Sequence, residues 1–486
     1  MNNDRKIKRI LFVQLELKDW KKARMWGYSF HIGLEDGLES NDVQVTTLFS
    51  SWFSVARRLC ADKQFDQVWI NDTIHMFGPT KWGYYHLTKR DLEWLASLAP
   101  IRLGFVAESL QYSDKDYAEW PALLNYPEVL KRVLPYLTHV MACDENDVEY
   151  IRGMCNIPTV WFVPPVSDHV ISRNVVLPPS VKPIFRGTSY GERTRWLKLP
   201  FIKEVLDHQL TSDNDTDLPG VFDSLHRYLY PKAILSDKEL NKLYELYLNT
   251  IREIRRQAFD MYLNDLRQGS MVVNLPSYAK IFTSRVYEGM AVGRPVITGK
   301  CEKRPRMNAL FEDNRDILLY SPDQPEMLAK QIKKVLNNPE FGRQIAVNAM
   351  HKMVNFHTTK KCVRQVFEWI ATGREPKYDV VLADNDSLSA KPYHTMNLMP
   401  KELLGRFESG FRKQLTLLTA FKYALFLLRS KMLEFAQRIE TKIRFYVKKS
   451  IIILGLGFLL KFRKKLLGSV LKYHNALRRM YSLKQK

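Results

Sequence analysis

The sequence MVVNLPSYAKIFTSRVYEGMAVGRPVITG, residues 271–299, predicts a strand, a loop, a short helix and a second strand. MVVNL and PVIT are short apolar runs of the kind that form buried parallel strands. Between them, Thr283 and Ser284 are good N-cap residues for a helix over about residues 285–292. The stretch is therefore typical of a crossover connection inside an α/β sheet.

The start of this predicted helix is a candidate site for an anionic ligand. Free amides and the positive end of the helix dipole attract phosphate, and Arg285 adds a planar cation. One turn later, Glu288 can accept hydrogen bonds from a sugar diol. Gly289 and Gly293 permit close backbone approach. An ordinary capped helix with a surface glutamate explains the local pattern equally well.

Strands alternate with helices on both sides of this segment. Short β-rich runs lie at residues 7–14, 43–49, 67–71, 101–107, 138–142 and 159–163, and helical-length segments separate them. A second series contains PIFRG, MVVNL, PVITG and DILLY. Such alternation predicts parallel sheets, with ligands at the carboxyl ends of the strands. We therefore expect an α/β protein with two doubly wound, Rossmann-like domains that face each other across a cleft.

Proline-rich and polar stretches suggest where the domains end. The predicted boundaries are 1–172 for the first domain, 183–375 for the second, 376–400 for a linker and 401–486 for a helical tail. Residues 205–262 fit this plan less well. Most of that region is strongly helical, and the strands that a standard second sheet needs are not evident in it.

Composition narrows the class of protein. The 486 residues include five scattered cysteines with no CxxC pair, which argues against a disulfide framework or a structural zinc site. The first apolar run is too short for a signal peptide, so we expect a cytoplasmic protein. The formal net charge is +22, and residues 401–486 hold most of it, with 21 lysines and arginines against four glutamates.

The basic tail predicts an anionic partner. Residues 411–449 place apolar residues at three- and four-residue spacing among bases, and the apolar run 450–460 follows between lysines. A bilayer-spanning helix needs about 20 apolar residues. A helix in the membrane interface is therefore favoured, at the inner face of an anionic membrane. A packed helical subdomain, an oligomerisation helix or a nucleic-acid-binding tail are the alternatives, and the last is unlikely because recognised motifs are absent.

Three stretches of the second half carry a family resemblance: SRVYEGMAVGRPVITG, LFEDNRDILLYSPDQPEMLAKQIKKVLNNPEFGRQIAVNAMHKMV and CVRQVFEWIATG. They resemble the C-terminal domain of nucleotide-sugar glycosyltransferases with the GT-B fold, in particular the CgeB-like group. IFRGTSYGERTRWL and VMACDENDVEYIRGMCNIPTVWFVPPVSD are similar to earlier segments of that family. The resemblance is good over residues 271–373 and patchy before residue 183.

The resemblance implies a donor site in the second domain and an acceptor site in the first. Glu288 would bind the ribose of a nucleotide-diphosphate sugar, and Arg193 or Arg285 would bind its diphosphate. The amides from Ser284 onward would contact the phosphate oxygens, and Gly187 lies in the opening loop. The acceptor would be a glycan or glycolipid. The resemblance implies neither a cofactor nor a metal.

One position departs from the family pattern. Many relatives carry a second glutamate eight residues before the first, and this chain has Lys280 there. The ammonium group could neutralise the phosphate as the leaving group develops charge, which is a form of electrostatic catalysis. A solvated loop lysine is the alternative.

If the reaction inverts the anomeric centre, a general base must lie at the carboxyl end of a first-domain strand. Glu108 is the first choice because VAES ends an apolar strand abruptly with a carboxylate. The other candidates in loops after strands are Asp114, Glu16, Asp19, His31, Asp72 and His75. If the reaction retains configuration, these side chains would only orient the acceptor.

The sequence thus favours a membrane-associated glycosyltransferase in polysaccharide biosynthesis, acting on a lipid-linked glycan or a surface polysaccharide precursor. The fingerprints of dinucleotide, P-loop, zinc protease and serine hydrolase sites are missing. Two alternatives stay open. The chain could be a non-catalytic module with the same fold, or a sugar-nucleotide epimerase.

Overall fold

A computed structural model describes residues 9–16, 28–79, 85–172, 174–176, 182–187, 189–209, 225, 232, 234–379, 400–414, 422, 424, 425, 428, 432 and 439. The chain divides into two compact units, Met1–Gln414 and Leu415–Lys486. Both parallel sheets belong to the first unit.

The first sheet has six parallel strands. They are β1 (Arg9–Gln14), β2 (Gln44–Phe49), β3 (Gln67–Ile70), β4 (Ile101–Val106), β5 (His139–Ala142) and β6 (Thr159–Trp161), in the order β2-β1-β3-β4-β5-β6. Each of the six predicted runs forms one of these strands. Leu11 and Val68 are completely buried, as expected for central strands covered on both faces.

Helices connect these strands. They are Tyr28–Glu39, Ala56–Leu59, Thr73–Phe77, Lys89–Leu98, Asp114–Glu119, Asn125–Val133 and Glu145–Cys155, with short 3₁₀ turns at Ser50–Val55, Pro121–Leu124, Leu134–Tyr136 and Asp168–Val170. Two begin with a reciprocal capping box, in which Thr88 pairs with Asp91 and Ser113 with Asp116. Such a pair satisfies amide groups that the first turn leaves without intrahelical partners.

The second sheet has five parallel strands. They are β7 (Ile184–Arg186), β8 (Asp207–Gln209), β9 (Val272–Asn274), β10 (Val296–Gly299) and β11 (Leu318–Tyr320), in the order β11-β10-β9-β7-β8. These topologies confirm the predicted α/β class. In each sheet the order of strands reverses once, between β1 and β3 and between β7 and β9. Open parallel sheets bind ligands outside the carboxyl ends of the strands at such a reversal.

The helices of the second half are Gly191–Trp196, Pro200–Val205, Asp237–Gln268, Ser284–Ala291, Pro305–Asn308, Pro325–Asn337, Pro339–Phe356, Thr359–Thr372 and Pro400–Gln414. The region where the sequence left strands unplaced supplies β8 and then Asp237–Gln268, a 32-residue helix. We call this helix the long helix. A capping box between Ser236 and Glu239 starts it.

The long helix contacts both sheets. Near its start, the Tyr244 hydroxyl donates to the carbonyl oxygen of Thr47 at 2.6 Å, beside the carboxyl end of β2. Near its end, the Tyr262 hydroxyl donates to Glu288 at 3.0 Å in the second half of the chain. One continuous helix therefore joins the first sheet to the second half of the chain.

A second connection lies at the end of the second half. Helix Thr359–Thr372 packs on helix Tyr28–Glu39 of the first sheet. A Cβ atom at Gly37 would lie 2.8 Å from the carbonyl oxygen of Thr359 and 2.9 Å from Val363 Cγ2. Glycine therefore allows the two helices to approach closely. This return of the chain to the first sheet is the arrangement that the resemblance implies.

The last helix of the first unit revises the predicted tail boundary. In Pro400–Gln414, Leu403, Phe407 and Phe411 are buried, and Gly410 faces Leu246 of the long helix. The predicted tail begins at 401, whereas the first compact unit continues to Gln414. Residues 380–399 of the predicted linker and the apolar run 450–460 lie outside the described residues. Among the described helices, none has the length and apolar character needed to cross a bilayer.

Candidate functional site

We call the carboxyl edge of the second sheet the donor side and that of the first sheet the acceptor side, after the roles that the resemblance implies. The donor side begins at the carboxyl end of β9. There, Asn274 Oδ1 accepts hydrogen bonds from Thr283 Oγ1 at 3.0 Å and from Arg285 Nη1 at 2.8 Å. Thr283 is the N-cap residue of helix Ser284–Ala291, but its side chain makes no hydrogen bond to the helix amides. The hydrogen bond from Thr283 to Asn274 therefore fixes the start of the helix against the sheet. Thr283 does not cap the amides of the first turn, which can bind other groups.

Two arginines lie next to each other at this edge. The guanidinium carbon of Arg285 is 4.7 Å from the centre of the Phe185 ring, and that of Arg193 is 5.6 Å from the same ring. Arg193 is buried and donates from Nε to the carbonyl oxygen of Pro276 at 2.8 Å. Among the described residues, no carboxylate forms an ion pair with Arg285. The pair concentrates positive charge at a place suited to phosphate.

Burial affects the ionisation of one of these arginines. It lowers the pKa of Arg193 to about 10, and the neighbouring Arg285 contributes to the decrease. Arg193 nevertheless remains a cation at neutral pH. A bound anion would relieve the repulsion between the two guanidinium groups.

Gly187 makes room for this arrangement. It follows β7, and a Cβ atom at this position would collide with the Arg285 guanidinium. Gly187 was predicted to lie in the opening loop. Glycine is needed at this position because the Cβ atom of any other residue would displace the Arg285 side chain.

Glu288 lies near Arg285, since both contact Tyr262, and it is only 2% exposed. Its Oε2 accepts the hydrogen bond from Tyr262 of the long helix. Burial, followed by the charge of Glu288, raises the pKa of Tyr262 well above its ordinary value, so this hydroxyl stays protonated. The sequence analysis did not identify Tyr262. Its position in a region whose strands could not be placed gave no signal that it reaches the site.

The acceptor side is built from the carboxyl ends of β3 and β4. These strands are adjacent, with Ile70 opposite Gly104, so the loops that follow them meet. Burial raises the pKa of the half-buried Glu108, His75 and Arg193 lower it, and Asp72 raises it, with a net pKa of about 7. Glu108 therefore lies within electrostatic range of Arg193, which belongs to the donor side.

The remaining first-domain candidates have different surroundings. Glu16 is buried and accepts a 2.5 Å hydrogen bond from Tyr247 of the long helix, so that helix covers the end of β1. Asp114 is exposed in the first turn of its helix. Asp72 and His75 form a buried pair beside Glu108. Asp19 and the side chain of His31 lie outside the described residues.

Lys280 forms an ion pair across the cleft. Its Nζ atom is 2.7 Å from Asp116 Oδ2, and its backbone N–H donates to Ser109 Oγ at 3.2 Å. Hydrogen bonds from Lys280 and Ser113, which outweigh the effect of burial, lower the pKa of Asp116, so this carboxylate stays ionised. In this structure Lys280 is therefore a partly exposed lysine that is paired with a carboxylate and is not free for a phosphate.

Further contacts surround that ion pair, and we call residues 109–120 of the first domain the latch. Glu119 pairs with Arg195 at 2.9 Å, and Lys115 pairs with Glu192 at 2.5 Å. Trp120 packs edge-on against Tyr278, with ring centres 5.1 Å apart. The latch thus contacts two segments of the second half of the chain, one around Glu192 and Arg195 and one around Tyr278 and Lys280.

Sequence comparison matches residues 236–368 to a family described as glycosyl transferase-like. This region of the chain is glycosyltransferase-like. The match confirms the predicted family and enzyme class for the part of the chain that contains Lys280, Ser284, Arg285 and Glu288. Gly187, Arg193 and Glu108 precede it. No curated protein matches the chain in sequence.

Several solved structures are similar to the chain. HepE from Anabaena, in complex with UDP-glucose, is 12% identical, with 75% of this chain and 99% of that one covered at a TM-score of 0.43. Sucrose-phosphate synthase from Thermosynechococcus elongatus is 14% identical, with 76% and 100% covered at 0.47. TarM from S. aureus is 12% identical, with 62% and 54% covered at 0.40.

We expect Glu108→Gln to change how stability depends on pH. The folded-state pKa of about 7 exceeds the ordinary 4.5, so the protonated side chain stabilises the fold at low pH, and this contribution is lost as the pH rises towards 7. Glutamine keeps the neutral form. The difference in melting temperature between the variant and the wild type should therefore shift in favour of the variant as the pH rises from 5 to 8, as measured by thermal unfolding.

The matched control for this experiment is Glu340→Gln, since Glu340 is an exposed glutamate whose pKa is lowered by Arg343. It should show no such gain. An equal effect of Glu108→Gln at both pH values would contradict the raised pKa.

We also expect the Asp116–Lys280 ion pair to hold the latch closed. Asp116→Lys and Lys280→Asp each place like charges together and should increase hydrogen exchange in residues 277–283 several-fold. The double reversal restores opposite charges and should recover most of the protection, with a coupling of about 1 kcal/mol. Reversal of the exposed Lys89–Glu93 pair is the control. Additive single effects would show that this pair does not close the latch.

Proposed function

We propose that the protein transfers a sugar from a nucleotide-diphosphate sugar to a hydroxyl group of a glycan acceptor. The observation that carries this proposal is the pair of adjacent guanidinium groups on Phe185, with the buried Glu288 and Arg285 both beside Tyr262 and with Glu108 within electrostatic range of Arg193. A diphosphate, a ribose and a reacting hydroxyl need these three kinds of group. The glycosyltransferase-like family match supports the same class of reaction.

On the donor side, Arg193 and Arg285 would bind the diphosphate. Planar guanidinium groups form paired, charge-assisted hydrogen bonds with phosphate oxygens. The first-turn amides at Ser284 point along the helix axis, and their dipole favours the same anion. As the bond between the sugar and the diphosphate breaks, negative charge grows on the leaving oxygen. The two fixed cations would stabilise that charge without having to reorganise.

Glu288 would accept hydrogen bonds from the ribose hydroxyls. A buried carboxylate is costly unless hydrogen bonds satisfy it, and Tyr262 supplies one. Ribose hydroxyls would supply others. Because the long helix carries Tyr262, the orientation of Glu288 depends on the helix that joins the two sheets.

On the acceptor side, Glu108 would act as the general base. The acceptor oxygen bonds to the anomeric carbon, its proton passes to Glu108, and the nucleoside diphosphate leaves with the electron pair of the broken bond. A base with a pKa of about 7 is suited to catalysis near neutral pH. For Lys280 to assist the leaving phosphate, it would have to exchange Asp116 for the ligand.

We expect Glu288→Gln to weaken donor binding by about 10- to 100-fold, because hydrogen bonds to charged groups contribute about 1.5–3 kcal/mol. A panel of nucleotide sugars, assayed for nucleoside diphosphate release with membrane extract, identifies the donor. Calorimetry with the wild type and the variant then measures binding. Glu340→Gln serves as the control because this glutamate is exposed.

Each alternative gives a different result in that experiment. Binding without diphosphate release under any condition indicates a non-catalytic module, and conversion of the donor sugar without an acceptor indicates an epimerase. Equal affinity of Glu288→Gln and the wild type would contradict the ribose assignment.

We propose further that the second unit, Leu415–Lys486, binds the inner face of an anionic membrane and brings the enzyme to a lipid-linked acceptor. Its described helical positions include Leu425, Leu428, Met432 and Ile439, which are 42–65% exposed. Their spacing of three, four and seven places them on one helix face. Exposed apolar side chains in a strongly basic segment favour an interfacial helix on anionic headgroups.

We expect truncation after Gln414 to abolish binding to vesicles that contain phosphatidylglycerol, while the first unit keeps its melting temperature. The full chain should sediment with anionic vesicles but not with phosphatidylcholine vesicles, and added salt should weaken the binding. Leu425→Gln combined with Leu428→Gln should weaken it without changing the charge. Unchanged sedimentation of the truncated chain would refute the proposal, and a shift in size by gel filtration would indicate an oligomerisation helix instead.

A further inference from the structure

A buried aspartate–histidine pair at the end of β3 has no assigned part in the proposed reaction. Asp72 and His75 are 2% and 4% exposed. Both carboxylate oxygens of Asp72 contact His75 Nδ1, at 2.9 and 2.8 Å, and Oδ1 also accepts the backbone N–H of His75 at 3.1 Å. The imidazole ring is therefore held in one orientation.

The backbone at this pair is unusual. Asp72 has a φ of 59°, in the left-handed region that residues other than glycine seldom adopt. That conformation turns the chain from β3 directly into helix Thr73–Phe77, so the cap carboxylate faces the ring three residues later. Strained backbone of this kind concentrates at functional sites, where the surrounding structure maintains it.

The contact with Asp72 also fixes which nitrogen faces the rest of the cluster. Because Nδ1 lies against a carboxylate, it carries a proton in both the neutral and the charged ring. Nε2 is directed towards the Tyr126 hydroxyl, 3.4 Å away, and the two rings meet edge to face with centres 5.6 Å apart. The His75 ring is thus held by Asp72 at Nδ1 and by Tyr126 at Nε2.

Strand register places this pair beside Glu108. Ile70 is opposite Gly104, so the residues that follow β3 and β4 emerge side by side. The ionisable groups around Glu108 and His75 are Asp72, Tyr112, Tyr126 and Arg193. Burial lowers the pKa of His75, but Asp72 and Glu108 together outweigh it, so the net pKa is raised. An ionised Glu108 therefore favours the charged form of the ring.

We propose that His75, oriented by Asp72, is a positioning residue that sets the charge state of Glu108. The imidazolium stabilises the Glu108 carboxylate before it accepts the acceptor proton, and Asp72 balances the imidazolium. His75 keeps its protons throughout, so no additional transfer step is required. This inference rests on the proposed function, because it assigns His75 a role towards the proposed base.

The activity test is the pH profile of His75→Gln. Loss of the cation should move the acid limb of the kcat profile to higher pH by about one unit, because an adjacent opposite charge shifts a pKa by about that amount or more. The plateau at high pH should be retained. His351→Gln, at an exposed histidine, is the matched control. A purely structural role would lower the rate equally at every pH.

A second measurement does not depend on activity. In the full chain labelled with ¹³C-histidine, the His75 resonance is assigned as the one missing from His75→Gln. It should titrate above pH 6.5, and Glu108→Gln and Asp72→Asn should each lower its midpoint. An unchanged midpoint in Glu108→Gln would overturn the proposal. If His75→Gln fails to fold, the more conservative His75→Asn supplies the assignment.

The two measurements separate the failure of the inference from that of the proposed function. If Glu108→Gln abolishes transfer but His75→Gln leaves the acid limb in place, the inference fails and the function stands. If the wild type binds no nucleotide sugar while the His75 midpoint responds to Glu108, the function fails and the coupling of the two side chains stands.

Discussion

The contacts of the long helix with both sheets are the interaction on which the rest of the structure depends. Its tyrosines donate to Thr47 and Glu16 beside the first sheet and to Glu288 in the second half. Each hydroxyl donates a hydrogen bond to a buried acceptor, and such a bond contributes about 0.5–3 kcal/mol, depending on the charge of the acceptor. One rigid helix makes both sets of hydrogen bonds. The distance between the two sheets and the orientation of Glu288 therefore depend on each other.

Charge is divided unequally across the cleft. The donor side places Arg193 and Arg285 together, whereas the acceptor side places Asp72 and Glu108 together, with His75 beside them. Besides burial, the pKa of Glu108 is therefore shaped by His75 and Asp72 on its own side and by Arg193 across the gap. Titratable groups whose environments move their pKa values in this way are common at catalytic sites.

The sequence predicted the strands well where they are short, apolar and buried on both faces. It also identified Glu288, Arg285 and Glu108 as candidates, because each follows a strand or lies near the start of a helix, and Arg193 through the family resemblance. It did not place β8 or reveal Tyr262. The β8 strand, Asp207–Gln209, is three polar residues long and carries no apolar period, and Tyr262 lies in an amphipathic helix whose pattern does not distinguish core from ligand-facing tyrosines.

The sequence by itself determined the alternation of strands and helices, the concentration of basic charge after residue 400 and the types of side chain at each strand end. These are local properties, set by periodicity and composition. Tertiary structure alone decided that Lys280 pairs with Asp116, that Glu16 is covered by Tyr247 and that Asp72 and His75 lie beside Glu108. Such contacts join residues far apart in the chain, and their geometry depends on how the sheets and the long helix pack.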